Sequence, residues 1–170
     1  MLVLRRSGHT TIPTRTDAFW PSWSPSGKRI AYSPRLTPGG SEIYTVALDG
    51  PHKRLVARNG AAPAWSPDGR TIAYQSPCGI RLITPSGRNG TPSATANACG
   101  AIGFSAPPTW SPDGTKLAFE TKTGIYVIDK SGRALRLVQR QAINPGSGVP
   151  FPPTTWCGQL PARPAWQPMH

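Results

Sequence analysis

Acidic side chains are scarce in this 170-residue sequence, with seven Asp and Glu against nineteen Lys and Arg and a formal charge of +12. The carboxylates are Asp17, Glu42, Asp49, Asp68, Asp113, Glu120 and Asp129. No local pair among them suits division into general acid and general base, and Asp49, Asp68, Asp113 and Asp129 lie in turns that recur along the chain. Histidine is confined to His9, His52 and His170, and cysteine to Cys78, Cys99 and Cys157 without C-x-x-C spacing, so no standard zinc pattern can be written. A Cys78–Cys99 disulfide and buried free thiols both satisfy an odd cysteine count, which leaves the compartment open. Long apolar runs are missing too, so no transmembrane helix is expected. Leu2, Val3 and Leu4 precede Arg5 and Arg6, the reverse of a signal peptide's order. No Gly-x-Ser-x-Gly nucleophile elbow occurs. Gly39-Gly40 and the Gly100 to Gly103 segment lack the strand–loop–helix setting of a phosphate cradle, and no cofactor is expected.

What the sequence has in quantity is turn chemistry: 18 Gly and 21 Pro, with only 37% hydrophobic residues, a composition suited to many short strands. Pro21-Ser22-Trp23-Ser24-Pro25-Ser26-Gly27 is followed by Ile30-Ala31-Tyr32. The phrase returns as Pro63-Ala64-Trp65-Ser66-Pro67-Asp68-Gly69 with Ile72-Ala73-Tyr74, and as Pro108-Thr109-Trp110-Ser111-Pro112-Asp113-Gly114 with Leu117-Ala118-Phe119. A truncated copy, Pro164-Ala165-Trp166-Gln167-Pro168, comes last. Trp23, Trp65, Trp110 and Trp166 stand 42, 45 and 56 residues apart, close to the period of four-stranded propeller blades.

Each phrase reads as two strands around a tight turn, in which Pro presets φ and Gly accepts a positive one. Asp68 and Asp113 read as turn formers whose side chains bond nearby N–H groups. A second phrase supplies a third strand and its exit turn: Glu42 to Val46 before Asp49-Gly50, Ile80 to Ile83 before Ser86-Gly87, and Ile125 to Ile128 before Ser131-Gly132. Leu55-Val56 and Leu137-Val138 mark fourth strands, whereas the middle repeat is indistinct across Thr91 to Ala98. The expectation is one all-β domain over 1–170, built of four-stranded antiparallel blades. It comprises a partial blade at 1–16, full blades at 19–58, 62–98 and 107–140, a Pro-rich loop at 141–163 and a terminal strand at 164–168. His9 and His52 fall in turns between third and fourth strands. The motif tryptophans read as blade packing, whereas Trp20 and Trp156 lie outside the repeated position.

The phrase Pro-x-Trp-Ser-Pro-Asp-Gly-x-x-Ile-Ala-Tyr, followed by Ile-Tyr-x-Ile-x-x-x-Gly, resembles the TolB-type propeller repeat over nearly the whole chain. That resemblance implies a β-propeller whose relatives include a periplasmic, lipoprotein-binding component of the Tol-Pal system and the propellers that gate prolyl-oligopeptidase-type enzymes. The sequence accommodates neither an additional N-terminal domain nor a hydrolase domain. A non-catalytic scaffold that binds another protein is expected, in a periplasmic or extracytoplasmic setting by resemblance alone. The alternatives are a propeller segment of a peptidase and a polyanion-binding module. No run of five or six like charges marks a nucleic-acid tail. Turns between strands one and two and between three and four open on one propeller face, and beside them stand Arg5, Arg6, Lys28, Arg29, Lys53, Arg70, Arg88, Lys116, Lys130 and Arg133. These form a candidate basic face for an acidic protein partner. Open blade edges leave three arrangements: a small four-bladed ring, self-association of two chains, or an incomplete larger propeller.

Overall fold

The computed structural model describes residues 2–5, 8–11, 18–34, 41–49, 52–77, 79–87, 107–121 and 123–140, with 2–5 and 8–11 described by backbone alone. In chain order the strands are β1 (Leu2–Arg5), β2 (Gly8–Thr11), β3 (Ala18–Trp23), β4 (Arg29–Pro34), β5 (Glu42–Ala47), β6 (Lys53–Arg58), β7 (Ala61–Trp65), β8 (Ile72–Ser76), β9 (Gly79–Ile83), β10 (Thr109–Trp110), β11 (Lys116–Thr121), β12 (Gly124–Asp129) and β13 (Arg136–Arg140). They form a β1–β2 hairpin and three up-and-down antiparallel sheets, β3-β4-β5-β6, β7-β8-β9 and β10-β11-β12-β13. The fold is an all-β propeller arrangement, and among the described residues no helix is long and apolar enough to cross a membrane. The segments 88–98, 141–163 and 164–168, all three cysteines, Trp156 and Trp166 lie outside the described residues. His9, expected in a turn, stands inside β2 opposite Leu4.

The repeated turn is held by its serine. In the second blade the Ser66 N–H donates to the Thr71 carbonyl at 2.8 Å, and the Gly69 N–H to the Ser66 carbonyl at 3.0 Å. The Ser66 hydroxyl accepts from the Thr71 N–H at 3.0 Å and donates to Asp68 Oδ1 at 2.6 Å. Asp68 in turn accepts the Arg70 N–H at 3.0 Å. Ser24 and Ser111 take the same N–H from Arg29 and Lys116, at 3.0 and 2.9 Å. All three serines are buried, and each hydroxyl gives a part-buried backbone N–H its partner. Gly27, Gly69 and Gly114 close the turns at φ of 66, 72 and 68°, a conformation that a Cβ disfavours.

Alternation along the second strand then divides each blade into two apolar faces. Ile72 and Tyr74, with Trp65, pack back on Ala31, Ile43 and Val56 of the first blade. Ala73, from between them, joins Ile80 and Leu82 under Trp110, Leu117 and Phe119 of the third. A small alanine between two large residues is what lets the sheets approach. Hydrogen bonds supplement the burial: the Trp65 N–H donates to Ser22 Oγ at 2.9 Å and the Ala62 N–H to Ser33 Oγ at 3.2 Å.

The innermost strands carry a feature that no propensity suggests. Register shifts between Phe19 and Ser22 and between Ala61 and Ala64, and there Trp20 and Ala62 adopt φ of 50 and 52°. Each precedes a proline, which has no N–H to lose from the ladder at a bulge. The equivalent residue of the third blade is Pro107, whose ring locks φ near −65°. The left-handed bulge is therefore unavailable there, and β10 is only two residues long.

Ser66→Ala is expected to lower stability by about 1–3 kcal/mol, because it removes two hydrogen bonds of about 0.5–1.5 kcal/mol each, from the Thr71 N–H and to Asp68. Urea denaturation checks this, and a change within about 0.5 kcal/mol, the range of a neutral surface substitution, would contradict the role given to the serine.

Candidate functional site

In the first and third sheets the up-and-down strand order puts the two sets of turns at the same end, and a backbone bond ties them together. The Leu48 N–H, after β5, donates to the Lys28 carbonyl at 3.1 Å, and the Lys130 N–H, after β12, donates to the Thr115 carbonyl at 3.0 Å. Lys28, Arg29, Arg70 and Lys116 thus stand at turns from first to second strands, while Lys53, Lys130 and Arg133 stand at turns from third to fourth. Arg5 ends β1 at the hairpin turn and is described by backbone alone; Arg6 and Arg88 lie outside the described residues. Two cations of this set are already engaged. The Arg29 guanidinium donates to Thr45 Oγ1 at 3.0 Å, and Lys53 Nζ sits 3.7 Å from the centre of the Tyr44 ring. Lys28, Arg70, Lys116, Lys130 and Arg133 are exposed.

Asp68, Asp113 and Asp129 at this end are occupied by turn backbone. Asp113 is held down to about 2 by the Ser111 hydroxyl, then by the Thr115 N–H and hydroxyl. Asp129 is lowered chiefly by the Ser131 hydroxyl and the Arg133 N–H. Asp68 is lowered first by the Ser66 hydroxyl, then by the Arg70 N–H, with smaller help from the charges of Lys130 and Arg70. A carboxylate stabilised in this way is a weak base. Among the described residues no group of three or more His, Cys, Asp and Glu is placed to hold a metal ion.

Beside these turns lies an open cleft of about 630 Å³, whose lining includes Trp23, Trp65, Trp110, Pro25, Pro67 and Pro108. It exists because the first strands of successive blades adjoin, with β7 in contact with both β3 and β10. One repeated phrase is thereby presented three times along a single wall. Trp65 and Trp110 are packing residues, 9% and 8% exposed, and their indole N–H groups donate to the Gly69 and Ala64 carbonyls at 3.1 and 3.0 Å. Trp23 differs, being 48% exposed. Trp20, half-buried in its bulge, has its ring 6.1 Å from that of Phe19. Residue types alone do not reveal this cleft. The signal available in the sequence is that equal phrases on adjoining inner strands must line up.

No family model matches the chain, and no curated protein matches it. Solved structures do. A putative TolB from Agrobacterium tumefaciens is similar at a TM-score of 0.62 and 22% identity, over 73% of this chain and 50% of that one. The nidogen/laminin complex matches at 0.64 and 12% identity, over 83% of this chain and 57% of that one. The β-propeller domain of the Trilobed protease from Pyrococcus furiosus matches at 0.50 and 19% identity, over 70% and 40%. At these identities the likeness establishes the propeller fold, and the match spans 40–57% of these three chains and as little as 23% of other propeller-containing structures.

Because Asp113 titrates below its ordinary 3.8 in the folded chain, its turn bonds stabilise the fold above about pH 4, and that contribution is lost as pH falls through about 2. Asp68 and Asp129, also lowered, act in the same direction. Thermal melts from pH 5 to about pH 2 should therefore show a falling Tm whose slope is reduced in Asp113→Asn. Superimposable Tm–pH curves for the two proteins would contradict this.

Proposed function

We propose that the chain is a non-catalytic binding module that takes an acidic segment of another protein across the tryptophan cleft. The observation that carries this reading is the cleft's composition: an apolar floor of repeated Trp and Pro with one indole exposed, bordered by turns bearing Lys28, Arg70 and Lys116. Exposed aromatics beside cations are the chemistry of protein-recognition anchors. The net charge of +12 would speed encounter with an acidic partner in a salt-sensitive way. Turn-bound aspartates support the absence of catalysis in this reading, since the weak bases among them are used to hold backbone. Similarity to TolB structures supports a scaffold in the cell envelope, and the periplasmic setting belongs to that proposal.

A second reading is a propeller segment of a larger peptidase, favoured by the likeness to the protease propeller domain. A hydrolase motif in the adjoining reading frame would select it. A polyanion-binding role is the third, and it predicts equal affinity for peptides and for heparin at matched charge.

Selection from a displayed random-peptide library tests the first reading. Acidic peptides containing apolar residues should be enriched, and their binding should weaken about tenfold or more in Trp23→Ala, the effect of removing an aromatic anchor. Affinity should also fall with added salt and in Lys28→Glu/Arg70→Glu. Recovery of no acidic peptides, or binding indifferent to Trp23, would overturn the proposal.

A further inference from the structure

The serine that ties the first blade to the second has counterparts in the other blades, and they differ in charge. Ser33 follows Ile30-Ala31-Tyr32, and its Oγ accepts the N–H of Ala62, the residue before Pro63, at 3.2 Å. The same place is Gln75 in the second blade and Glu120 in the third. Glu120 is half-buried in β11, and by strand alternation it faces the same side as Ala118, away from the second blade on which Leu117 and Phe119 pack. Among the described residues the one ion pair joins Arg58 to Glu42, so Glu120 has no described counter-charge.

That side of the third blade is covered unevenly. Ala118 is 5% exposed although none of the described apolar clusters includes it, Ile125 and Val127 are half-buried, and Val138 is 59% exposed. On the first blade, where a whole sheet lies alongside, the matching Ala31, Ile43 and Val56 are all buried. Burial on the third blade is therefore confined to its inner strands.

We propose that the segment 162–166, which lies outside the described residues, seats on this inner part of the third blade with Arg163 against Glu120. In sequence Ala162-Arg163-Pro164-Ala165-Trp166 repeats Ala61-Ala62-Pro63-Ala64-Trp65, so Arg163 holds the position of Ala62. The bond from Ala62 to Ser33 supplies the pattern: a carboxylate in the serine's place takes the N–H of the incoming residue and meets its guanidinium as well. The apolar part of the phrase has its surface too. Trp65 shares a buried cluster with Ala31, and Trp110 shares one with Ala73; Ala118 is the third alanine of that series. Seated in this way, Trp166 continues the wall of Trp65 and Trp110 by one repeat. The contact uses neither Trp23 nor the basic turns, so it fails separately from the binding proposed above.

Hydrogen exchange and charge reversal on the full chain test this. In the wild-type protein the amides of Ala162, Arg163, Ala165 and Trp166 should exchange about tenfold or more slower than in an unstructured peptide. Arg163→Glu should lower the Tm by about 2–4 °C. It should do so although it reduces the net charge of +12 and relieves overall repulsion, which alone would raise the Tm. Glu120→Arg should lower the Tm likewise and release the 162–166 amides, and Glu120→Arg/Arg163→Glu should regain most of both. Three results would each overturn the proposal: unprotected 162–166 amides in the wild type, a Tm unchanged or raised in Arg163→Glu, or a double variant no more stable than the less stable single one.

Discussion

A blade of three or four strands has two apolar faces and cannot cover either of them, and the rest of this structure follows from that constraint. Ile72 and Tyr74 point one way and Ala73 the other, so burying one set against a neighbouring sheet commits the other set to the next neighbour. The Ile-Ala-Tyr triplet settles both junctions of a blade with three residues. Each fully buried Ile contributes about 1.5–3 kcal/mol, more than the about 0.5–1.5 kcal/mol of each hydrogen bond from Trp65 and Ala62 to Ser22 and Ser33. Those bonds set alignment, while area supplies the stability.

The same constraint separates structural from functional chemistry. Polar residues within the repeat are consumed locally: the serine hydroxyl on a backbone N–H, the aspartate on the serine and on the next N–H, and Arg29 on Thr45. What the repeat does not use is the exposed indole of Trp23 and the side chains of Lys28, Arg70, Lys116, Lys130 and Arg133, the groups on which the proposed binding rests. The proposed function accordingly sits at a margin of the repeat, where a tryptophan that is buried in two copies is half exposed in the first.

Most of the fold was legible because its signals are local and repeated. Trp-Ser-Pro-x-Gly, with Ser26, Asp68 or Asp113 at x, specifies a turn with a glycine at positive φ, and all three described copies form it. Less was legible where geometry depends on distant neighbours. Trp20 at φ 50° contradicts its residue type, and only the bulge before Pro21 accounts for it. Asp68 and Asp113 read correctly as turn formers, but the buried serine that organises them did not stand out, since a serine in a turn is commonplace. Lys28, Arg29, Lys53, Arg70, Lys116, Lys130 and Arg133 stand at or beside the turns expected of them, yet sequence could not show that Lys53 lies over Tyr44 or that Arg29 bonds Thr45. Nor could it distinguish Trp23 from Trp65 and Trp110, because identical phrases differ only in what packs against them.

The central claim is that stability comes from blade-to-blade burial rather than from each blade alone. A double-mutant cycle across one junction tests it most directly, with Ile43→Ala in the first blade and Ile72→Ala in the second, which share one buried cluster. The account predicts a coupling of about 0.5–3 kcal/mol between them in urea denaturation, as found for residues in contact. Additivity within about 0.3 kcal/mol would mean that the two sheets are stabilised independently, and would contradict it.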